Sequence, residues 1–360
     1  MEQRVLMAMS GGVDSSVAAL VLRDGGYSVE GVTLKLFENE DACLDNEKAC
    51  CSLKDAEEAR QVCLGLGLPH FIYNFTRTFN ADVIDRFCDG YLRGETPNPC
   101  IDCNRYIKFA ALQQRRRELD YDYVATGHYA RRCFNEATGR YELKRGLDAN
   151  KDQSYVLFHL DQDTLAHTLF PLGDLTKPDV RKLAEANGFA NAQKAESQDI
   201  CFVPDGDYAT FIGKRTGKAF EPGPIVNRNG DVLGSHTGLI HYTIGQRKGI
   251  GVAAAEPLYV YAKDAATNQL VVGTNAETVC NVIEVEDVNF IAVGSLPQPQ
   301  HFTVKAHYRQ TARGAAVEQT GDACIRISFD EPQRACAPGQ AAVVYDGDTV
   351  ICGGTITASR

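Results

Sequence analysis

Three features of the sequence predict an α/β protein with a parallel sheet in its N-terminal part and β-rich modules behind it. Apolar runs alternate with helical periodicities over roughly the first 200 residues, as strands and crossover helices require. The first apolar run leads directly into a turn rich in serine and glycine that opens a helix. From about Asp205 onward, glycines, prolines and short β-branched runs replace the helical spacing.

Taken in order, residues 4–9 form an apolar run, and Val17, Leu20 and Val21 recur at helical spacing until Gly25-Gly26 stops the helix. A second strand is expected over 29–37. After it comes a polar loop carrying Cys43, Cys50 and Cys51, whose thiols are read as incidental or structural, with a further cluster site as the alternative. Ser52 then reads as an N-cap, with Asp55 in the first turn and Ala56, Ala59, Val62 and Leu66 along one face. Residues 71–75 read as a strand; Val83, Phe87 and Tyr91 share a helical face, as do Ile107, Ala110, Ala111 and Leu112. A buried strand over 121–126, a hairpin over 131–145 turning at Thr138-Gly139, and a helix over 178–186 with proline at its start complete this part. Beyond it, turns at Asn229-Gly230 and Asp346-Gly347, a closing hairpin over 260–273 and strands from Val282 onward predict a small β-rich domain and then a barrel. The predicted domains are 1–204, 205–279 and 280–360.

A chain of 360 residues, 44% hydrophobic, can bury the cores of two or three domains. Its start has no basic segment followed by a long apolar run, and no stretch approaches 18 uninterrupted apolar residues, about what a membrane span needs. Thirteen cysteines, an odd number, lie too far apart for a secreted disulfide framework. A soluble cytoplasmic protein with free thiols is expected. The net charge of -10 argues against general polyanion binding, so any basic site is local. Arg115-Arg116-Arg117, Arg131-Arg132, Lys144-Arg145 and Arg247-Lys248 are the candidates, although each alone reads as solvated surface.

Chemistry begins at Ser10-Gly11-Gly12-Val13-Asp14-Ser15-Ser16, between the first strand and the first helix. Unpaired N–H groups and the helix dipole converge there on a place for an anion, and two glycines let the backbone approach phosphate oxygens. No lysine follows the glycines, so this is neither a Walker loop nor a dinucleotide fingerprint. Asp14 would repel a bare phosphate, so it is assigned a bridging Mg²⁺ or a capping role. Two further cysteines stand in polar loops: Cys103, after Thr96-Pro97-Asn98-Pro99 and where a helix is expected to begin, and Cys201, about a hundred residues later. A helix N-terminus would lower the Cys103 thiol pKa.

The string SGGVDSS resembles the phosphate loop of enzymes that cleave ATP to AMP and pyrophosphate. Together with TPNPCIDCNRYIKF, YVATGHYAR, RGLDANKDQSYVL, DICF, TIGQRKGIG and HYRQ, it closely resembles the tRNA-specific 2-thiouridylases over essentially the whole chain. The resemblance implies a PP-loop, adenine nucleotide alpha-hydrolase-like domain followed by a central β-rich domain and a C-terminal β-barrel. It further implies ATP- and Mg²⁺-dependent replacement of the C2 oxygen of the wobble uridine by sulfur. Cys201 would carry a persulfide and Cys103 would attack it, either liberating sulfide or closing a Cys103–Cys201 disulfide. Ala8, Met9, Ser10, Gly11, Gly12, Val13, Asp14, Ser15, Leu34 and Gly127 would contact ATP. Asn98, Pro99 and Cys100 would meet the target base, and Lys151, Asp152, Gln153, Tyr308 and Arg309 the rest of the tRNA. A cysteine desulfurase or sulfur-relay protein would load Cys201.

One position departs from well-known members of the family: they carry aspartate where this chain has Cys100. With Cys103 and Cys201 it offers three thiolates, a set that can hold a [4Fe-4S] cluster with one iron open to sulfide. The alternative enzyme on the same loop is an ATP-dependent amide or amidine synthetase, which needs neither cysteine.

Overall fold

The computed structural model describes residues 2–38, 53–195, 200–334 and 336–360. Cys43, Cys50, Cys51, the expected Ser52 cap and Ser197-Gln198-Asp199 lie outside the described residues.

The N-terminal part is a parallel sheet. Strands β1 (Arg4–Ala8), β2 (Ser28–Lys35), β3 (His70–Asn74) and β4 (Tyr123–Ala125) join a short strand, Thr168–Leu169, in the order β3-β2-β1-β4 and then 168–169. The side-chain period of two explains why β1 is buried on both faces. Val5, Met7 and Met9 enter one core with Val17, Leu20 and Val62; Leu6 enters the other with Val32, Leu34, Phe79 and Phe87. Full burial of each such side chain stabilises the fold by roughly 1.5–3 kcal/mol. Helix α1 (Val13–Asp24) and helix α2 (Leu53–Leu66) cover the first face. Across the second face Phe202 meets Phe79, Phe87 and Phe211 at ring-centroid distances of 5.9, 5.4 and 5.4 Å, which fixes the chain beside Cys201. Phe211 belongs to the helix Tyr208–Thr216, so the chain just beyond the expected boundary still contributes to this core.

The helical spacings at Val83, Phe87 and Tyr91 and at Ile107 and Leu112 mark buried faces, as expected. The second of these helices begins earlier than the sequence spacing suggests. Its first turn is Pro99–Asp102, with Asn98 as the cap, and it continues with π-type hydrogen bonding over Cys103–Ala111 into Leu112–Glu118. Asn98 Oδ1 accepts from the Cys100 N–H at 3.1 Å, while Pro99 loses nothing at a position whose N–H would be unpaired.

Strands β5 (Ala130–Asn135) and β6 (Arg140–Arg145) form the expected hairpin, with Gly139 at φ +64 in its turn. Behind it, Gly223–Val226, Val232–His236, Tyr259–Asp264 and Gln269–Gly273 make a four-stranded sheet among the described residues; the expected 260–273 hairpin is its last pair. The C-terminal strands are Val279–Phe290, Gln300–Lys305, Arg313–Gly321, Cys324–Arg334, Ala341–Asp346 and Thr349–Ser359. They close into a barrel when the first pairs with the last. The β5–β6 hairpin is joined to this barrel: Lys144 pairs with Thr349, and the Arg145 N–H donates to Asp348 O at 2.8 Å. One core unites the two parts, with Phe109, Leu143, Tyr155 and Leu157 packed among Ile291, Val343, Tyr345 and Val350. No described helix is long and apolar enough to cross a membrane.

Candidate active site

The serine- and glycine-rich loop leaves β1 at the carboxyl end of the parallel sheet, where open α/β sheets bind ligands. Gly11 has φ +72, and a Cβ there would stand 2.4 Å from Asp55 O, so only glycine fits. The loop carbonyls are tied back. Ser15 Oγ and Ser16 Oγ each donate to Gly12 O at 3.0 Å, and Asn191 Nδ2 donates to Gly11 O at 3.0 Å and to Ser16 Oγ at 2.9 Å. Ser10 N donates to Ser15 Oγ at 3.2 Å. The first N–H groups of α1 have no partners within the helix, an arrangement suited to an anion. Gly127 follows β4 and lies against this loop: a Cβ there would be 2.9 Å from Ser15 N and 3.0 Å from Asp14 C. Leu34 is buried beneath in the same core as the partly buried Ala8, while Met9 and Val13 anchor the other face.

Asp14 is not the helix cap; Gly12 occupies that position. Its carboxylate accepts from Tyr129 Oη at 2.7 Å and from Lys177 Nζ at 2.6 and 2.8 Å. Lys194 closes the other side, donating to Asp55 at 2.5 Å, Glu58 at 2.6 Å and Gly11 O at 3.4 Å. The sequence reading missed Tyr129, Lys177, Asn191 and Lys194. Each lies more than a hundred residues from the loop it supports, and the only local cue was a lysine immediately before the proline that opens a helix.

Cys103 and Cys201 pack into one hydrophobic cluster with Leu6, Leu34 and Phe202, on the same face of the sheet as Ala8. The expected lowering of the Cys103 thiol pKa is not observed. Because the helix begins at Pro99, Cys103 stands a full turn inside it and is buried, and burial pushes its thiol up to about 11, with the neighbouring Cys100 and Asp102 adding to the effect. Cys100, on the first turn, is exposed. His128 is a packed imidazole, 2.8 Å from Thr126 Oγ1 and beside Phe109, and burial holds it well below its ordinary value.

The expected tRNA-facing residues assemble around Tyr308, which is 41% exposed. Its ring centroid lies 5.8 Å from that of Tyr155, and Lys305 Nζ is 5.6 Å from both rings. Burial raises the Tyr308 hydroxyl pKa; the charges of Asp152 and Cys100 add to this, and Lys151 and Arg309 oppose it. Asp152 also organises its own turn, accepting from Gly146 N at 3.2 Å and Ser154 N at 3.0 Å, and Gln153 Oε1 accepts from Tyr129 N at 3.0 Å. The same turn therefore reaches back to the tyrosine that holds Asp14. A cleft of about 440 Å³ opens between Asn98, Asp102 and the barrel residues Pro338 and Gly339. Gln340 Nε2 donates across the same boundary to Thr96 O at 2.5 Å.

Among the described residues, no group of three His, Cys, Asp or Glu side chains gathers to hold a metal, so Cys100, Cys103 and Cys201 do not form a ligand set in this conformation. Several of the basic clusters are engaged internally. Arg115 pairs with Glu118, Arg116 donates to Gln113 and Tyr121 O, and Arg132 donates to Leu165 O and Ala166 O.

Residues 3–205 match a family described as the tRNA methyl transferase HUP domain, 209–274 the tRNA methyl transferase PRC-barrel domain, and 281–356 the aminomethyltransferase beta-barrel domain. The chain is 49% identical over 351 residues to the tRNA-specific 2-thiouridylase MnmA of Moorella thermoacetica, covering 98% of each chain. It is 45% identical to the protein of the same name from Clostridioides difficile, covering 100% of this chain and 99% of that one. Among solved structures it is similar to a 4-thiouridine synthetase in complex with RNA and ATP, at 19% identity and a TM-score of 0.39, over 56% of this chain and 45% of that one.

Proposed function

The chain belongs to the tRNA-specific 2-thiouridylase family, and from that premise we propose that it uses ATP to exchange the C2 oxygen of the tRNA wobble uridine for sulfur. Ala8 to Ser15, Leu34 and Gly127 bind ATP; Asn98, Pro99 and Cys100 receive the target base; Lys151, Asp152, Gln153, Tyr308 and Arg309 hold the tRNA. Residues 1–204, 205–279 and 280–360 act as the adenylating, central and tRNA-contacting domains. The observation that carries the reading is the packing of two cysteines far apart in sequence, Cys103 and Cys201, into the core that borders the phosphate loop. An amide synthetase has no use for such a pair.

The uridine O2 attacks the α-phosphorus of ATP, and the bond to the bridging oxygen breaks with its electron pair leaving on pyrophosphate. The C2 centre now carries AMP as a leaving group. A persulfide on Cys201, loaded by a cysteine desulfurase or relay protein, attacks C2 with its terminal sulfur, and AMP departs. Cys103 then attacks the Cys201 sulfur, its thiol proton passing to the departing nucleoside, and the S–S bond breaks toward that nucleoside, leaving 2-thiouridine and a Cys103–Cys201 disulfide. In the variant order, Cys103 attacks first and frees sulfide, which itself adds to C2. Asp14, which here accepts from Tyr129 and Lys177, is the carboxylate that would hold magnesium, and the ion would supply charge neutralisation on the triphosphate. Delivery from a cluster would require Cys100, Cys103 and Cys201 to converge. Iron and sulfide assay after anaerobic purification decides this point: metal-free protein that still thiolates excludes the cluster.

The test is incubation with unmodified tRNA, ATP, Mg²⁺ and a sulfur source, followed by nucleoside mass analysis. We expect 2-thiouridine from the wild type, and none from Cys103→Ser or Cys201→Ser although both still release pyrophosphate. No 2-thiouridine under either aerobic or anaerobic conditions overturns the reading. Cysteine variants with undiminished product formation point to the amide or amidine synthetase.

A further inference from the structure

The C-terminal barrel holds another pair of cysteines far apart in sequence. Cys280 lies on the barrel strand Val279–Phe290 and is paired with Gln333 on the strand Cys324–Arg334, and Cys336 stands just past the end of that second strand. Both side chains enter the barrel core, 9% and 3% exposed, and the two thiols hydrogen-bond to each other. Cys280 accepts that bond, which holds its thiol below the ordinary value, whereas burial pushes Cys63 and Cys352 up to about 11 and about 12. The ladder between the two strands shifts register directly after Cys280, so this thiol sits at an irregularity of the barrel wall.

Each cysteine borders a segment that reaches toward the motif cysteines. Cys336 opens residues 336–340, where Pro338 O accepts from the Thr96 N–H at 2.9 Å and Gln340 Nε2 donates to Thr96 O at 2.5 Å. That contact has no slack, because a Cβ on Gly339 would stand 2.9 Å from Glu95 Cβ. Across the ladder from Cys280, Gln333 Oε1 accepts from Gln310 Nε2 at 3.0 Å, and Gln310 Oε1 accepts from Ala306 N at 2.6 Å, closing the turn that carries Tyr308 and Arg309. The thiol pair therefore stands at the common base of both segments.

We propose that Cys280 and Cys336 form a redox-modification site, where a low-molecular-weight disulfide oxidises the pair to a disulfide within the barrel and thereby weakens tRNA binding. The consequence for tRNA rests on the functional reading above; the disulfide itself does not. The Cys280 sulfur attacks one sulfur of the small disulfide, and the thiol that leaves takes the Cys280 proton. Cys336 then attacks the Cys280 sulfur of the mixed disulfide, its proton passing to the second small thiol as that departs. Two electrons have moved from the cysteines to the small disulfide, which ends as two thiols. The new bond ties Cys336 to the barrel strand across from it, and the displacement passes along 336–340 to Thr96 and through Gln333 to the Tyr308 turn.

The experiment uses the full-length protein carrying Cys103→Ser and Cys201→Ser, so that a disulfide between those two cannot form. It is equilibrated with glutathione and glutathione disulfide at a series of ratios, and differential alkylation with peptide mass mapping follows each thiol while filter binding reads affinity for unmodified tRNA. We expect a linked Cys280–Cys336 peptide at ratios that leave Cys63 and Cys352 as thiols, and a loss of tRNA affinity of about tenfold, as for ordinary coupling between two sites, reversed by reductant. Adding Cys336→Ala should stop the reaction at a glutathione adduct on Cys280, and adding Cys280→Ala should leave Cys336 a thiol and the tRNA affinity indifferent to the ratio. The map needs no substitution at the pair itself, so a variant that fails to fold does not disturb it. Two results overturn the proposal: no linked peptide once the exposed Cys100 is fully glutathionylated, or linked protein that binds tRNA as tightly as the reduced form. Reduced protein that binds no tRNA defeats the functional reading, a separate outcome in which the peptide map still decides the site.

Discussion

Asp102 shows how one side chain can be read from sequence in identity but not in state. It lies between Cys100 and Cys103 in the motif, so its position was plain, yet its environment comes from residues far along the chain. Burial raises its carboxyl to about 6, against the opposing charges of Arg86 and Arg105. The folded form therefore keeps a proton that the unfolded form loses near pH 3.8, and stability falls as pH rises from about 4 to about 6. Above that window the full cost stands. Asp102→Asn is accordingly expected to stabilise the protein by about 1–3 kcal/mol at pH 7.5 and by almost nothing at pH 4, as read from urea midpoints. An equal effect at both pH values contradicts the assignment. Cys103 teaches the same lesson: its spacing to Cys100 was visible in the sequence, but the burial that governs its thiol was not, because Leu6, Phe79 and Phe202 are contributed by three distant segments.

At the level of elements, the strand–loop–helix unit at the N-terminus was legible because its signals are local: a buried run, two glycines, and a helical face that ends at Gly25-Gly26. The helix bearing the two motif cysteines was located but started one turn late, since the apolar spacing begins at Ile107 whereas the cap at Asn98 is set by a side-chain hydrogen bond. Close packing between elements left a weaker trace. Gly127 was marked only by the resemblance, as an ATP contact, and no local signal showed that β4 meets the serine- and glycine-rich loop there with no room for a methyl group. Gly127→Ala is expected to push the Ser15 amide aside and raise the Mg·ATP Kd by about tenfold or more, roughly 1.4 kcal/mol, with a much smaller change in tRNA affinity. Calorimetry with each ligand separates the two. Equal loss of both would indicate general damage in place of a displaced loop.

Across the whole molecule, the change of texture near Asp205 correctly announced β-rich modules. The way those modules are attached could not be read from composition. The barrel shares a core with the first half of the chain, where Phe109, Leu143 and Tyr155 pack with Ile291, Val343 and Tyr345. A chain ending at residue 279 would leave that apolar surface in water. We expect such a truncation to aggregate, or to melt at least about 10 °C below the full protein, given that a few kcal/mol of lost burial move a midpoint by that much. Size-exclusion chromatography and thermal scans would check it, and a monomeric fragment with an unchanged midpoint would refute it. Internal engagement of Arg115, Arg116 and Arg132 was equally invisible, because a run of arginines looks the same whether its partners are phosphates or backbone carbonyls.

The hairpin that links the two halves has a mechanical corollary. From its pairing with the last barrel strand, through Lys144 and Arg145 and across to Ala130, the path is continuous β-ladder, and the next residue back is Tyr129, whose hydroxyl touches Asp14. A load on the last barrel strand is thus carried by paired backbone to the residue beside Tyr129, and from there to the serine- and glycine-rich loop through a single phenol.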